Sequence, residues 1–249
     1  MVYQLFYWPG IQGRGEFVRL ALEEAGVAYE DIGRTDGTHA LMAAMESGDA
    51  VHMPFAPPFL KADGRLIGQT ANILYFLGPR LKLAPKDEAG RVWVNQLQLT
   101  IADMVAEAHD SHHPVGTGLY YEDQKPEALR RSQEFTSERM KKFLSYFERV
   151  LASNPDGPHY LAGSALSYAD LSLFQLVEGL GYAFPKALAQ LSAWLPLVMG
   201  LRERVAKRPR IAAYLRSERR LAFNESGIFR HYPELDAEHT PPQNFANPT

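Results

Sequence analysis

The opening part of the chain switches between alternating and helical patterns of apolar side chains. Residues 2–8 alternate between two faces as a strand would, with Leu5 and Tyr7 on one face, and Pro9-Gly10 ends this predicted strand. From about Gly13 the apolar positions recur at helical spacing as far as Gly26, a residue that suits a C-terminal cap. A second strand is predicted over residues 27–32. Two neighbouring parallel strands must be joined by a crossover of a dozen or more residues. The helix between these two predicted strands provides such a crossover, so we expect the strands to pair in parallel.

A second group of elements follows after a variable loop with a weak helix. Short strands are predicted at 58–61 and 65–68, joined through Asp63-Gly64, which is a strong hairpin signal. Gln69 to Leu77 then has the pattern of a helix that ends at the following Gly-Pro pair. The order βαβ-α-ββα predicts an α/β domain of thioredoxin-like layout over residues 1–80.

Strand signals vanish after this point, and long helical periodicity takes over. We expect a domain boundary in the proline- and lysine-containing connector and an all-α helical domain over residues 88–220. Within that domain, Ser167 and Asp170 have the spacing of a capping box, which predicts a strongly specified helix start. Residues 221–249 form a C-terminal extension rich in Pro, Asn and His, and its last dozen residues are expected to be disordered.

Composition and charge exclude several kinds of chemistry. The 249 residues contain no cysteine, which excludes disulfides, thiolate metal sites and a cysteine nucleophile. A formal charge of -3 gives no global attraction to nucleic acid or anionic lipid. The start of the chain lacks a basic leader, and no apolar run approaches the roughly 20 residues that span a bilayer. We therefore expect a cytoplasmic protein without nucleic-acid or membrane partners.

Four motifs, in this order and spacing, are similar to those of one known family. They are Tyr7-Trp8 followed by Gly13-Arg14-Gly15-Glu16 and Arg19, then Pro58-Phe59-Leu60 before Asp63-Gly64, then Gly68 to Leu74, and finally Ser167 to Leu171. Over roughly residues 3–220 the chain resembles the cytosolic glutathione transferases, and the first motif resembles their tyrosine-type classes. The resemblance implies the thioredoxin-like and helical domains of that fold, with glutathione as co-substrate.

Tyr7 is the candidate catalytic residue that the resemblance implies. A free thiol has a pKa of about 8.5, and a phenol that donates a hydrogen bond to the sulfur favours the thiolate. Tyr7 ends the first strand, where ligands bind in open α/β sheets. The alternative is a half-buried strand aromatic. Trp8 is expected to line the peptide site or pack in the core, and Arg14, from the same motif, is a further candidate for glutathione binding.

The other candidate binding residues follow from the remaining motifs. A cis Pro58 would turn the carbonyl of Pro57 toward the cysteinyl amide, but a proline at position 57 offers no amide in return; the alternative is a rigid Pro-Pro turn. Gln69 and Thr70 open a helix whose free amides attract a carboxylate, and the resemblance implies that they bind the γ-glutamyl group, a role compatible with Thr70 as an N-cap residue. The resemblance implies that Asp103 reaches the glutamyl ammonium across a homodimer; otherwise it lies on a solvated face.

Three histidines and two apolar residues remain open to more than one interpretation. His109, His112 and His113 stand at helical spacings that can collect a metal, but no carboxylate–histidine catalytic signature accompanies them. We expect no metal, and these side chains are candidates to face an electrophile pocket between the domains. The resemblance implies a homodimer, in which Met53 or Phe55 would be an apolar plug unless it belongs to the core.

The leading hypothesis is a glutathione transferase that activates its co-substrate through Tyr7 and conjugates it to a hydrophobic electrophile held against the helical domain. A non-catalytic glutathione-binding module is the first alternative. Pro57 motivates it, as does the segment between Tyr7 and Gly13, which is about one residue longer than the family pattern. A glutathione-dependent isomerase or peroxidase using the same site is the other alternative.

Overall fold

The computed structural model describes residues 2–46 and 52–236, and its first part is built around a small sheet. The strands and helices of this part are β1 (Tyr3–Phe6), α1 (Gly15–Ala25), β2 (Tyr29–Asp31), α2 (Ile32–Thr35), α3 (Gly37–Glu46), β3 (Phe59–Ala62), β4 (Arg65–Gly68) and α4 (Thr70–Arg80). The sheet order is β2-β1-β3-β4. The order of elements along the chain matches the predicted βαβ-α-ββα arrangement, except that two helices, α2 and α3, lie between β2 and β3 where the sequence pattern predicts one.

β1 lies at the centre of the sheet because it pairs on both edges. It runs parallel to β2 and antiparallel to β3, with Leu5 opposite Asp31 on one side and Leu60 on the other. Leu5 and Leu60 are fully buried, which places the sheet in the core. Asp63 and Gly64 join β3 to β4 with φ angles of 53° and 72°. Both are positive, as the two-residue turn favoured by Asp-Gly requires.

Beyond α4 the described residues form helices and loops and no strand. The elements are α5 (Glu88–Asp110), a 3₁₀ turn (Tyr121–Gln124), α6 (Lys125–Glu134), a π-helical segment (Phe135–Arg139), α7 (Met140–Ala152), α8 (Tyr168–Ala183), α9 (Pro185–Ser192), α10 (Pro196–Ala206), α11 (Pro209–Leu215) and a second 3₁₀ turn (Pro233–Leu235). The connector between α4 and α5 coincides with the predicted domain boundary. None of the helices within residues 2–46 and 52–236 has the length and apolar character needed to cross a membrane.

The predicted capping box at the start of α8 is present. Asp170 is fully buried, and its Oδ2 accepts from the amide of Ser167 at 2.7 Å and from the Ser167 hydroxyl at 2.6 Å. Its Oδ1 accepts from the amide of Leu161 at 2.7 Å. Burial raises the pKa of Asp170 to about 6, although these hydrogen bonds oppose the rise. One carboxyl therefore organises both the helix start and the loop before it.

Two boundaries differ from the sequence pattern. β2 is shorter than the predicted strand at 27–32, because Ile32 already begins α2. α4 continues through Pro79 to Arg80 instead of ending at Gly78-Pro79. The amide of Leu81 still donates to the carbonyl of Leu77 at 2.9 Å, so the helical ladder passes the proline in the last turn.

The C-terminal segment, residues 216–236, returns across both parts of the molecule. The side chain of Asn224 donates to the carbonyl of Gly10 at 2.9 Å, and Tyr232 stacks on Tyr121 with ring centroids 3.8 Å apart. The carboxylate of Asp236 accepts from the amides of Lys186 and Ala187, at the start of α9. The extension is therefore packed as far as Asp236, and the last dozen residues, expected to be disordered, lie outside the described residues.

Replacement of Asp170 tests how much the α8 capping box stabilises the protein. Asp170→Ala leaves three buried donors without an acceptor, so we expect a loss of roughly 2–4 kcal/mol in the free energy of unfolding. Asp87→Ala is the matched control, because this N-cap carboxylate accepts only from the exposed amide of Gly90 at 2.7 Å. For Asp87→Ala the expected loss in the free energy of unfolding is about 1 kcal/mol. Equal losses in urea titrations of the two variants would contradict the structural role assigned to Asp170.

Candidate functional site

A cleft of about 350 Å³ lies between the N-terminus of α4 and the middle of α5. Its lining consists of Arg14, Phe17, Gln69, Thr70, Ala71, Asn72, Gln98, Leu99, Ile101, Ala102 and Val105, and we refer to it as the α4 cleft. It brings together three residues singled out from the sequence: Arg14, Gln69 and Thr70. A larger groove of about 820 Å³ follows the β2 edge and contains none of the predicted site residues. The α4 cleft is therefore the candidate site.

The N-terminus of α4 gives the cleft its affinity for negative charge. The first amides of a helix have no intrahelical acceptor and carry the positive end of the dipole. Gln69, directly before α4, has a φ of 68°, a value that non-glycine residues rarely adopt. The hydroxyl oxygen of Thr70 is buried and has no hydrogen-bond partner within the part of the chain that the structure describes. A carboxylate in the cleft would satisfy both the hydroxyl and the free amides.

Gln98 is a site residue that the sequence analysis missed. It enters the α4 cleft from α5, is 1% exposed, and its side-chain oxygen has no hydrogen-bond partner among the described residues. An unpaired buried acceptor is costly, so a ligand that donates to it is favoured. A signal was present in the sequence: Gln98 interrupts the apolar stripe between Val94 and Ile101.

Tyr7 lies behind the cleft, against the segment that leads into α1. Its hydroxyl oxygen accepts from the amide of Arg14 at 2.8 Å, and only 4% of the residue is exposed. Gly13 and Gly15 make this approach possible: a Cβ on Gly13 would fall 2.1 Å from the Tyr7 hydroxyl, and one on Gly15 would fall 2.6 Å from the ring. The glycines on either side of Arg14 therefore provide the space that the tyrosine ring occupies.

The surroundings of Tyr7 keep its hydroxyl protonated at neutral pH. Burial raises the pKa of Tyr7 above its ordinary value of 10.0, against the opposing effects of the Arg14 and Gly15 amides and of the Arg14 and Arg19 charges. The guanidinium of Arg19 lies 5.7 Å from the ring centroid. No acceptor for the hydroxyl proton occurs among residues 2–46 and 52–236. This proton is thus available to a ligand atom.

The other predicted site residues do not line the cleft. The Pro57-Pro58 peptide bond is cis, as expected, and directly precedes β3. Trp8 is 37% exposed, so it is not a core residue. Asp103 is exposed on α5, next to a residue of the cleft.

The two candidate plug residues are both exposed. Met53 is 64% exposed and Phe55 is 91% exposed. The interpretation that either belongs to the core of this chain is therefore wrong.

The three histidines converge beyond the end of α5. Each offers a ring nitrogen, and these nitrogens lie within 4.8 Å of one another. His112 and His113 are buried, whereas the His109 side chain is 20% exposed. Burial lowers the pKa of all three imidazoles, and that of His112 falls to about 3. All three rings are therefore neutral at physiological pH.

The comparisons with known proteins all point to one group of enzymes. Residues 109–218 match the family described as "Glutathione S-transferase, C-terminal domain". Glutathione S-transferase A2 of Bos taurus is 28% identical, over 90% of this chain and 93% of its own length. Glutathione S-transferase A3 of Mus musculus is 29% identical, over 85% of this chain and 87% of its own length. Over most of its length the chain is therefore similar to glutathione S-transferases.

A solved structure shows that the transferase fold extends over nearly all of the chain. The pi-class glutathione S-transferase of Onchocerca volvulus superimposes with a TM-score of 0.70 at 20% identity, covering 91% of this chain and 99% of that one. The predicted fold class, a thioredoxin-like domain followed by an all-α domain, is confirmed.

The packing of Tyr7 against the glycines can be tested by adding one methyl group. Gly15→Ala places its Cβ against the Cβ and Cγ of Tyr7, atoms that cannot move without the backbone. We expect a loss of about 1–3 kcal/mol in the free energy of unfolding. Gly10→Ala is the control in the same segment, because nothing lies within 4 Å of its added Cβ. Denaturant titrations giving equal stability for the two variants would contradict this packing.

Proposed function

We propose that this protein binds glutathione in the α4 cleft, holds its sulfur as the thiolate through Tyr7, and transfers it to a hydrophobic electrophile. The observation that carries the proposal is the Tyr7 hydroxyl. It is buried and protonated, it has no acceptor among the described residues, and it lies one hydrogen bond from Arg14 of the cleft. The names of the relatives in this family support glutathione as the co-substrate.

The γ-glutamyl end of glutathione fits the polar end of the α4 cleft. Its carboxylate would accept from the first amides of α4 and from the Thr70 hydroxyl. Its ammonium would donate to the bare side-chain oxygen of Gln98. In a homodimer of the kind that the family resemblance implies, Asp103 of the second subunit would add a carboxylate to this ammonium. The exposure of Met53 and Phe55 is consistent with such a partner.

Stabilisation of the glutathione thiolate depends on the position of the Tyr7 hydroxyl. A hydrogen bond donated to sulfur stabilises the thiolate, and each unit by which the thiol pKa falls corresponds to about 1.4 kcal/mol. The Arg14 amide donates to the same phenol oxygen and so polarises its O–H bond. The thiolate then attacks the electrophile; the new bond uses the sulfur lone pair, and the leaving group departs with the electrons of the broken bond.

The middle of the peptide is held more weakly than in the usual two-bond arrangement. The carbonyl of Pro57 can accept from the cysteinyl amide, but its nitrogen carries no hydrogen to donate. This single feature favours the second candidate function, a glutathione-binding module without transfer activity. Calorimetry with glutathione beside a conjugation assay over several electrophiles distinguishes the two, because only the module binds without turnover.

The cytoplasmic location expected from the sequence stays a prediction.

Tyr7→Phe removes the proposed donor and keeps the ring. Without the donor, the pKa of bound glutathione should rise by about 1–2 units, and turnover at neutral pH should fall roughly 10- to 100-fold. The measurements are thiolate absorbance against pH in the complex and the rate of conjugation. Tyr3→Phe is the control, since Tyr3 begins the strand that ends directly before Tyr7 and does not line the α4 cleft. A thiol pKa and turnover unchanged in Tyr7→Phe would rule out this mechanism.

Thr70→Val keeps the side-chain shape but removes the hydroxyl from the α4 cleft. A lost hydrogen bond to a charged group costs about 1.5–3 kcal/mol, so glutathione should bind roughly 10- to 100-fold more weakly in calorimetry. Turnover at saturating glutathione should change little, because the sulfur is held elsewhere. Thr100→Val is the control, since its hydroxyl donates to the Gln96 carbonyl within α5. If Thr70→Val and Thr100→Val bound glutathione with equal affinity, the γ-glutamyl carboxylate would not contact the Thr70 hydroxyl.

A further inference from the structure

Three histidine side chains meet just beyond α5, outside the α4 cleft. The amides of His112 and His113 donate to the carbonyl of His109 at 3.2 and 3.3 Å, so the chain keeps its helical turn past Asp110. Residues three and four apart on such a turn share one face. The spacing therefore directs all three imidazoles to the same side, with ring centroids 4.7–5.5 Å apart.

The nitrogens are placed close to the arrangement of a metal-ligand set. Ligands about 2.0–2.1 Å from a tetrahedral ion lie roughly 3.4 Å from one another. The available ring nitrogens are within 4.8 Å of one another, and Nδ1 of His112 faces Nδ1 of His113 in direct contact. Small rotations of the rings would therefore bring all three nitrogens to bonding distance of one ion.

A hydrogen bond on the far side of His112 fixes which nitrogen is free. Its Nε2 lies 2.7 Å from the carbonyl oxygen of Ile228. A carbonyl only accepts, so this Nε2 carries the hydrogen, and the neutral ring leaves the lone pair on Nδ1, toward the other two histidines. Metal-binding histidines are commonly oriented in this way by a carbonyl on the opposite nitrogen.

Access and charge at the cluster also suit a cation. His112 and His113 are buried, but the His109 side chain is 20% exposed and leaves a route from solvent. The cluster lies at the negative end of the α5 dipole. Two carboxylates act on the rings, Asp110 on His109 and Glu122 on His113. The guanidinium of Arg230 acts on all three rings and that of Arg14 on His109, so a bound cation would also meet some repulsion.

We propose that His109, His112 and His113 bind one divalent transition-metal ion, with Zn²⁺ as the expected occupant, through three imidazole nitrogens and one open coordination position. Imidazole ligands suit zinc, copper and nickel, and three protein ligands with an open position are usual for exchangeable or catalytic zinc. The site does not depend on glutathione binding. It reverses the expectation from the sequence, where the missing carboxylate–histidine signature argued against a metal.

Titration of the untagged, chelator-treated full chain with ZnCl₂ tests the site. Calorimetry should give saturable binding of one Zn²⁺ per chain, and Co²⁺ in its place should give the visible absorption of a low-symmetry site. His109→Asn is the first variant because His109 is the most exposed of the three, and His113→Asn is the second. Each should weaken Zn²⁺ binding by at least about tenfold.

His159→Asn is the matched control, since His159 is an exposed histidine far from the cluster in sequence. It should bind Zn²⁺ like the unchanged chain, and circular dichroism should confirm that every variant is folded. The proposal is overturned if the unchanged chain shows no saturable binding at one equivalent. It is equally overturned if folded His109→Asn and His113→Asn bind as tightly as the control, or if the control loses the ion.

Discussion

The buried guanidinium of Arg19 is the constraint on which the rest of the molecule depends. Arg19 is fully buried in α1, and an unpaired charge at such a depth would cost several kcal/mol. Its Nε donates to Asp31 at 2.7 Å, and its Nη1 donates to Glu16 at 3.2 Å and to the carbonyl of Gln12 at 3.1 Å. Although burial opposes the charge, the two carboxylates raise the pKa of Arg19 further. One side chain therefore joins a strand, a helix and the loop that precedes Arg14.

The same network continues into the helical part of the chain. The second carboxylate oxygen of Glu16 accepts from the Tyr214 hydroxyl and from Arg220, each at 2.6 Å. Glu16 is itself fully buried, and such a charge is tolerated because Arg19 on its own helix and Arg220 from the C-terminal segment both pair with it. Loss of Arg220 would leave part of this buried charge without its partner. The position of the α1 segment, and with it the Tyr7 hydroxyl, is thus coupled to the packing of α11.

Features specified by neighbouring residues were predictable, and features made by distant residues were not. The Asp63-Gly64 turn and the Ser167–Asp170 capping box lie within a few positions of sequence, where turn and cap preferences act directly. The membership of Gln98 in the α4 cleft depends on how α5 packs against α4, although its place in an apolar stripe was visible. The helical spacing of the three histidines was visible in the sequence, but the ring of His112 is oriented by the carbonyl of Ile228, 116 residues further along the chain. Local patterns carry no information about such a partner.

The contacts of the C-terminal segment have a consequence for the order of events during synthesis. The loop between Tyr7 and Arg14 is held from outside by Leu221, whose carbonyl accepts from Gln12 at a separation of 209 residues, and by Asn224, at a separation of 214 residues from Gly10. Translation delivers the loop first and these two residues only after both parts of the fold. A nascent chain can therefore form its sheet well before the loop beside Tyr7 receives its outer contacts. The contacts that hold the loop beside Tyr7 are thus made by some of the last described residues to leave the ribosome.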